Sequence, residues 1–410
     1  MNRTAGSAAP IAVTGIGVVS PIGVGAAQFW GALCAGRSGV TAVDDAMRAE
    51  TLPRLSAAVR GFASREFISS PHHRRMDGLS RFIVAACRMA LDDAAVPRDT
   101  ASERMGIVVG SALGDVRDST QHLNRVFLHG PAAVSPMLFP NLVLNAPASY
   151  AAMVLGATGV NLTVAQSEVS GEAAIALGCD LVRSGQADVV LAGGGDQIAP
   201  IVVDAARRAG ALAGQRGGRE WSSPYDAERS GVVFGEGAAI LVLEPLARAR
   251  ERGAAIYACI EEIAFFAVPA PRYGWPRCAG DGLPALAALC DGAAVDLVCG
   301  GANSTRRLDA CELELFASLA PARDAVLTSI KGAVGEFGAA GALSAAAACL
   351  ALRDQVAPPL CNLRTPAAGA IRLAPVRAEP LHGERALVCG IARGGAGAAL
   401  LLRRASDVAT

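Results

Sequence analysis

The sequence predicts a layered α/β body whose strands are covered on both faces, and three observations carry that expectation. Short apolar runs alternate with Ala-rich helical patterns along nearly the whole chain, the rhythm of buried strands separated by helices. Hydrophobic residues make up 52% of the chain and charged residues only 18%, with a mean hydropathy of +0.37, so an unusually large share must be buried. Third, Gly159 to Gly195 spells a strand, an abrupt polar turn, a helix and a second strand. At 410 residues the chain exceeds one core, so two domains or one duplicated body are expected.

Taken in order, Ile11 to Val19 reads as a buried strand ending at Ser20-Pro21, and Gly25 to Leu33 as a helix. Residues 38 to 80 carry no clear period, Arg81 to Asp93 is an Ala-rich helix, and Met105 to Gly110 a strand. Ser135 to Leu155 opens on S-P-M-L-F-P-N and runs into a helix. In the Gly159–Gly195 stretch the strand is Val160 to Val164, the turn Gln166 to Ser170, the helix roughly Gly171 to Ser184, and the second strand Val189 to Ala192, stopped by three glycines. A strand that breaks sharply into a helix exposes the side chain at the break to the positive helix N-terminus; here that side chain is Glu168, a carboxylate. A polar Gly- and Arg-rich loop follows (Gly214 to Arg219), then S-S-P-Y-D-A-E-R-S-G-V-V-F-G-E-G and a strand from Ala238 to Glu244. The second half repeats the rhythm with strands at Ala254–Phe266, Val295–Cys299, Val326–Ser329, Arg385–Cys389 and Ala398–Arg403, and helices at Gly282–Cys290, Asp309–Ser318 and Gly338–Leu352.

Composition excludes several functions. With 37 basic and 37 acidic residues the net charge is zero and no basic patch is interleaved with aromatics, so nucleic acid is not expected as a partner. No stretch of about 18 apolar residues runs free of Gly, Pro or charge, so no membrane span is expected. The eleven cysteines are scattered without a C-x-x-C pair, the pattern of buried free thiols in a reducing compartment. The polar N-terminus does not read as a signal peptide, and a cytoplasmic location follows. His72-His73 on a polar loop reads as a solvated pair before it reads as metal ligands, and no metal or cofactor is expected. Glycines 193 to 195 lack G-x-G-x-x-G spacing and read as a tight turn, not a nucleotide loop. Cys179, about three turns beyond Glu168, points into packing and is no replacement nucleophile.

With V-T-G-I-G-V-V-S-P-I-G from Val13, P-Y-D-A-E-R-S-G from Pro224, K-G-A-V-G-E-F-G-A-A-G from Lys331 and the terminal A-R-G-G loop in this order, the chain resembles the β-ketoacyl-acyl carrier protein synthases nearly end to end. The resemblance implies a thiolase-like fold of two similar βαβαβαββ halves in a layered αβαβα arrangement, here 1–248 and 249–410. It also implies dimerisation through the strand before the nucleophile (Val160, Leu162, Val164). The family's nucleophilic cysteine lies in A-C-x-S-G; counting back from Ser170-Gly171, its place is taken by Glu168, which cannot hold an acyl thioester. A one-gap realignment that brings Gln166 to the elbow would slip the Ser170-Gly171 and Ile175 matches. The family's two histidines, which polarise the malonyl carbonyl and stabilise the enolate, are replaced by Gly301 in G-A-N-S-T and by Glu336, while Lys331, Asp309 and Glu312 are kept. Ile391 takes the position assigned to the gate phenylalanine beside the A-R-G-G loop.

Loss of nucleophile and both histidines, with the scaffold motifs intact, resembles chain length factors. These are the silent ketosynthase-like subunits that pair with an active ketosynthase and shape the acyl tunnel during elongation on an acyl carrier protein bearing phosphopantetheine. Glutamate at the elbow, in place of the glutamine common in aromatic systems, leans towards reducing systems that make aryl polyenes or other polyenes. By the same resemblance, Met137, Leu138, Phe139 and Asn141 reach across the two-fold towards the partner's tunnel. Other readings stay open at this point: Glu168 and Glu336 as vestigial carboxylates neutralised by Lys331, Glu168 as the base of a decarboxylase or acyltransferase, or a homodimeric scaffold.

Overall fold

In the computed structural model, which describes residues 9–43, 55–97 and 100–405, the alternating pattern folds into a mixed α/β body around one large sheet, the thiolase-like fold. Residues 1–8 and 44–54, with parts of the N-terminal and 38–80 readings, lie outside the described residues. The main strands are β1 (Ile11–Ser20), β2 (Met105–Gly110), β3 (Asn161–Val164), β4 (Val189–Asp196), β5 (Gly237–Pro245), β6 (Ala258–Ala267), β7 (Leu297–Gly300), β8 (Val326–Thr328), β9 (Arg372–Leu373), β10 (Arg385–Ile391) and β11 (Ala396–Arg404). Their order across the sheet is β9-β8-β7-β10-β11-β6-β1-β5-β4-β2-β3. Strands up to Pro245 therefore lie on one side and strands from Ala258 onward on the other, joined where Ile11–Val13 of β1 pairs antiparallel with Ala258–Ile260 of β6.

The main helices are α1 (Ala26–Cys34), α2 (Gly78–Asp93), α3 (Val116–His129), α4 (Ala146–Leu155), α5 (Ser170–Arg183), α6 (Pro200–Arg208), α7 (Leu283–Cys290), α8 (Arg306–Ser318) and α9 (Ala340–Asp354). From Ala340 to Leu352 every residue of α9 is buried, and the run is Ala-rich. A helix apolar on all sides belongs inside, and small side chains let it lie close to its neighbours. Accordingly α5 and α9 pack on each other and on strands from both ends of the sheet, forming the middle layer. On the opposite face α2 covers β1, β5 and β4, and α4 covers β2 and β3. The Asp77 carboxylate starts α2 by accepting the Ser80 N–H at 2.6 Å, an N-cap.

One sequence expectation is corrected and three stretches are resolved in more detail. Glycines 193–195 do not end β4: the strand runs on to Asp196, with Gly193, Gly194 and Gly195 paired to Ile240, Ala239 and Ala238. A Cβ on Gly193 would stand 2.1 Å from the Ala239 carbonyl and one on Gly194 2.2 Å from that of Gly110, so these glycines serve close strand approach and not a turn. Ser135 to Leu155 is two pieces, a 3₁₀ segment Pro136–Leu142 and α4, bent by 104°. Pro140 and Pro147 withhold the N–H groups a continuous helix needs. Between β4 and the Gly214–Arg219 loop lies α6, opened by Pro200 in its first turn, and α3 follows β2.

Candidate active site

Glu168 sits in the one-turn 3₁₀ segment Ser167–Val169 that joins β3 to α5. Ser167 has φ +50°, a strained value for a residue with a side chain, and the turn is held by the Ser170 hydroxyl, which donates to the Ser167 carbonyl at 2.7 Å and accepts from the Gln166 N–H at 2.9 Å. Gln166 thus precedes the break and Glu168 occupies it, the alignment the S-G match favours. α5 can begin here because Gly110 of β2 has no side chain: a Cβ there would meet the Ser170 carbonyl at 2.1 Å.

Three charge centres converge on this elbow. Both carboxylate oxygens of Glu168 are taken by Arg393: the Arg393 backbone N–H donates to Oε2 at 3.0 Å, and Nε and Nη2 lie 2.5 Å from Oε1. Behind it, Lys331 Nζ donates to Glu336 Oε2 at 2.9 Å, both side chains being buried. Lys331 therefore neutralises Glu336 and not Glu168; the expectation that one lysine serves both carboxylates is replaced by two separate pairs. Burial pushes the Glu336 carboxyl up despite Lys331. For Lys331, burial works downward but is outweighed by Glu336, Glu172 and Glu312, so the ammonium is held above its ordinary value.

A third carboxylate, Glu172, was not singled out in the sequence, where it reads as an ordinary acidic residue in a helix first turn. Its side chain lies on α9 over Gly341, where a Cβ would stand 2.0 Å from the carboxylate. Burial pushes its pKa to about 7, and its Oε2 has no hydrogen-bond partner. Glu168, Glu172, Lys331, Ser344, Cys389 and Ile391 line a cavity of about 10 Å³, room for one water. On the outer side of Glu168 a cleft of about 110 Å³ is lined by Leu113, Val203, Phe234, Glu336, Phe337 and Arg393. Ile391 is buried in the inner wall, so the side chain standing over the elbow is Arg393 and not the residue assigned to the gate. A cavity of about 550 Å³ lies apart from the elbow carboxylates, between Arg216, Trp275 and Arg306.

Gly301 follows β7, and the loop it opens is shaped by two buried acids of α8. Glu312 accepts the N–H groups of Gly301 at 3.0 Å and Ala302 at 2.9 Å and the Tyr225 hydroxyl at 2.6 Å; Asp309 accepts Tyr225 N–H at 2.8 Å and Asn303 N–H at 3.1 Å. Burial raises Glu312 to about 7 and Asp309 to about 6. The P-Y-D-A-E-R-S-G segment is thus the clamp for this loop: Tyr225 reaches Glu312, and Arg229 pairs with Asp309 at 3.4 Å. Cys179 is fully buried in the core, as its helix position implied. His73 bonds Ser64 at 2.8 Å, and no group of three potential metal ligands gathers among the described residues.

The remaining predicted positions lie on the outer face of the β2-β3 end. Met137, Leu138 and Phe139 are exposed, Phe139 to 61%, and Leu162 projects from the terminal strand between the half-buried Val160 and Val164. Asn141 turns inward instead, donating to the Arg75 carbonyl at 2.9 Å and accepting from the Tyr150 hydroxyl, so it braces the 104° bend.

Family models match two parts of the chain: "Beta-ketoacyl synthase, N-terminal domain" over residues 8–249 and "Beta-ketoacyl synthase, C-terminal domain" over residues 285–364. Among relatives, the granaticin polyketide putative beta-ketoacyl synthase 1 of Streptomyces violaceoruber is 31% identical, covering 97% of this chain and 99% of its own. The 3-oxoacyl-[acyl-carrier-protein] synthase 2 of Vibrio cholerae serotype O1 is 28% identical over 96% of this chain and 99% of its own. Of solved structures, the ishigamide ketosynthase/chain length factor superposes with a TM-score of 0.89 at 26% identity, covering 97% of this chain and all of that one. With its elbow, its clamped loop and a matching model over more than half its length, the chain belongs to the β-ketoacyl synthase family.

Proposed function

We propose that this chain is a chain length factor, a ketosynthase-like subunit without condensing activity of its own that pairs with an active ketosynthase during acyl-carrier-protein-dependent elongation of a polyketide or polyene. The observation that carries the reading is the pair of ion pairs at the elbow. Where condensation needs a thiolate and two imidazoles, this chain has Glu168 bound by Arg393, Glu336 bound by Lys331, and Gly301 with no side chain. A carboxylate with both oxygens engaged does not serve as the free base that a decarboxylase would need.

The outer face supports pairing. β3 ends the sheet, so one edge of Asn161–Val164 is open to another strand, and α3 packs on the 131–142 segment beside it. Exposed apolar side chains stand on α3 (Leu123, Phe127 at 80%, Leu128), on the 3₁₀ segment it packs against (Phe139) and on α4, which packs on β3 (Met153), an apolar surface of the kind that marks a protein interface. The likeness to a ketosynthase/chain length factor structure agrees with this arrangement. In the complex, the exposed 136–139 segment is the element that would meet the partner's acyl tunnel. Co-expression with a cysteine-bearing ketosynthase of the same family tests the reading. A one-to-one complex that elongates acyl chains, with the isolated chain inert towards malonyl-carrier protein, is expected; malonyl turnover by the isolated chain that is lost in Glu168→Ala overturns it.

A further inference from the structure

Loss of a nucleophile makes a pocket inert but does not close it. Here the elbow is also covered. The loop after β10 is fixed by its own backbone bonds: Ala392 N–H to Ala396 O at 2.7 Å, Gly394 N–H to Gly274 O at 3.0 Å, and Val268 N–H to Gly395 O at 2.8 Å. Gly394 and Gly395 have φ of +86° and +92°, so this tight course rests on two consecutive glycines. From it the Arg393 side chain passes with its guanidinium 5.8 Å from the Trp275 ring centre and ends on Glu168. The Arg393 side chain is 48% exposed and that of Glu168 only 6%, so the arginine is the outer member of the pair. On its far side lie the inner cavity and Ser344, on its near side the 110 Å³ cleft.

We infer that Arg393 is a latch that closes this subunit's elbow pocket, so that acyl thioesters are excluded from it by an ion pair as well as by the missing nucleophile. The forked guanidinium suits the task, because it engages a carboxylate and a ring face at once. The latch consists of contacts within this chain and stands whether or not a partner ketosynthase binds, so its failure and the failure of the pairing are read by separate measurements.

The test places a thiol behind the latch. Ser344→Cys is nearly isosteric and lines the inner cavity, while the native Cys179, fully buried elsewhere, reports global unfolding. The full-length chain, alone or in its complex, is treated with methyl methanethiosulfonate and labelling is followed at each cysteine by peptide mass spectrometry. Modification at position 344 is expected to run about tenfold faster in Ser344→Cys/Arg393→Ala than in Ser344→Cys, with Cys179 silent in both. Equal rates at position 344 overturn the inference. If Arg393→Ala labels Cys179 as well, Arg393→Gln takes its place and is judged by the same ratio.

Discussion

The Tyr225 hydroxyl donates to Glu312 at 2.6 Å, and the same carboxylate receives the N–H of Gly301. The loop after β7 is therefore anchored from α8 through Glu312 and Asp309. Tyr225→Phe removes one donor from a fully buried acid and is expected to lower stability by about 1–3 kcal/mol, measured by chemical denaturation. No loss would mean that the clamp does not bear on folding.

Lys331 and Glu336 form a buried pair, so removing one partner should cost more than removing both. Lys331→Met leaves Glu336 buried without its cation and is expected to cost about 3–5 kcal/mol, whereas Lys331→Met with Glu336→Leu should recover most of that. A double-mutant cycle gives the coupling, and additive losses would contradict it.

Glu172 carries a pH dependence whose sign follows from its raised pKa. The native state keeps its proton up to about pH 7, while the unfolded chain releases it near 4.5, so between these values the native state binds more protons and stability falls as pH rises. Glu172→Gln cannot ionise. It should match wild type below about pH 4.5 and exceed it increasingly up to about pH 7, then hold a constant margin on the order of 3 kcal/mol. Denaturation curves at pH 4.5 and pH 8 decide it; a margin that does not grow with pH would show that Glu172 titrates normally.

On the outer face, Leu162→Arg puts a charge beside the open edge of β3 without touching the core. Gel filtration of the co-expressed pair should show loss of the complex, while the variant's own melting temperature stays unchanged. A persisting complex would move the interface elsewhere.

Phe139→Ala shortens an exposed aromatic in the 3₁₀ segment that the proposed partner would meet. If this ring limits the tunnel, the complex makes longer products by mass spectrometry; unchanged lengths with an intact complex would remove Phe139 from that role.

Much of the architecture was legible because its signals are local. Apolar runs such as Met105–Gly110 and Arg385–Ile391 are buried strands, and the S-E-V-S-G break is a strained turn with Glu168 on it. What escaped depends on distance in the chain. α3 went unread because none of its residues is buried, so its apolar positions look like a polar surface segment. Glu172 became a site residue only when α9 came to lie against α5, a contact across 169 positions of sequence between it and Gly341. Arg393 lay in a loop whose neighbour Ile391 drew the assignment, and only the fold shows which of the two faces Glu168. The signal for α6 was present in Pro200 followed by Asp204, Arg207 and Arg208, an N1 proline with ion pairs one turn on.

The seat of Glu172 on Gly341 also constrains how this sequence can change. While the carboxylate lies 2.0 Å from where a Cβ would grow, alanine at 341 displaces the end of the Glu172 side chain from its seat. The two positions are therefore coupled: Gly341→Ala moves the Glu172 carboxylate, and that displacement disappears once Glu172→Ala has shortened the side chain. Related chains that carry a side chain at the counterpart of 341 should be those in which the counterpart of 172 is small.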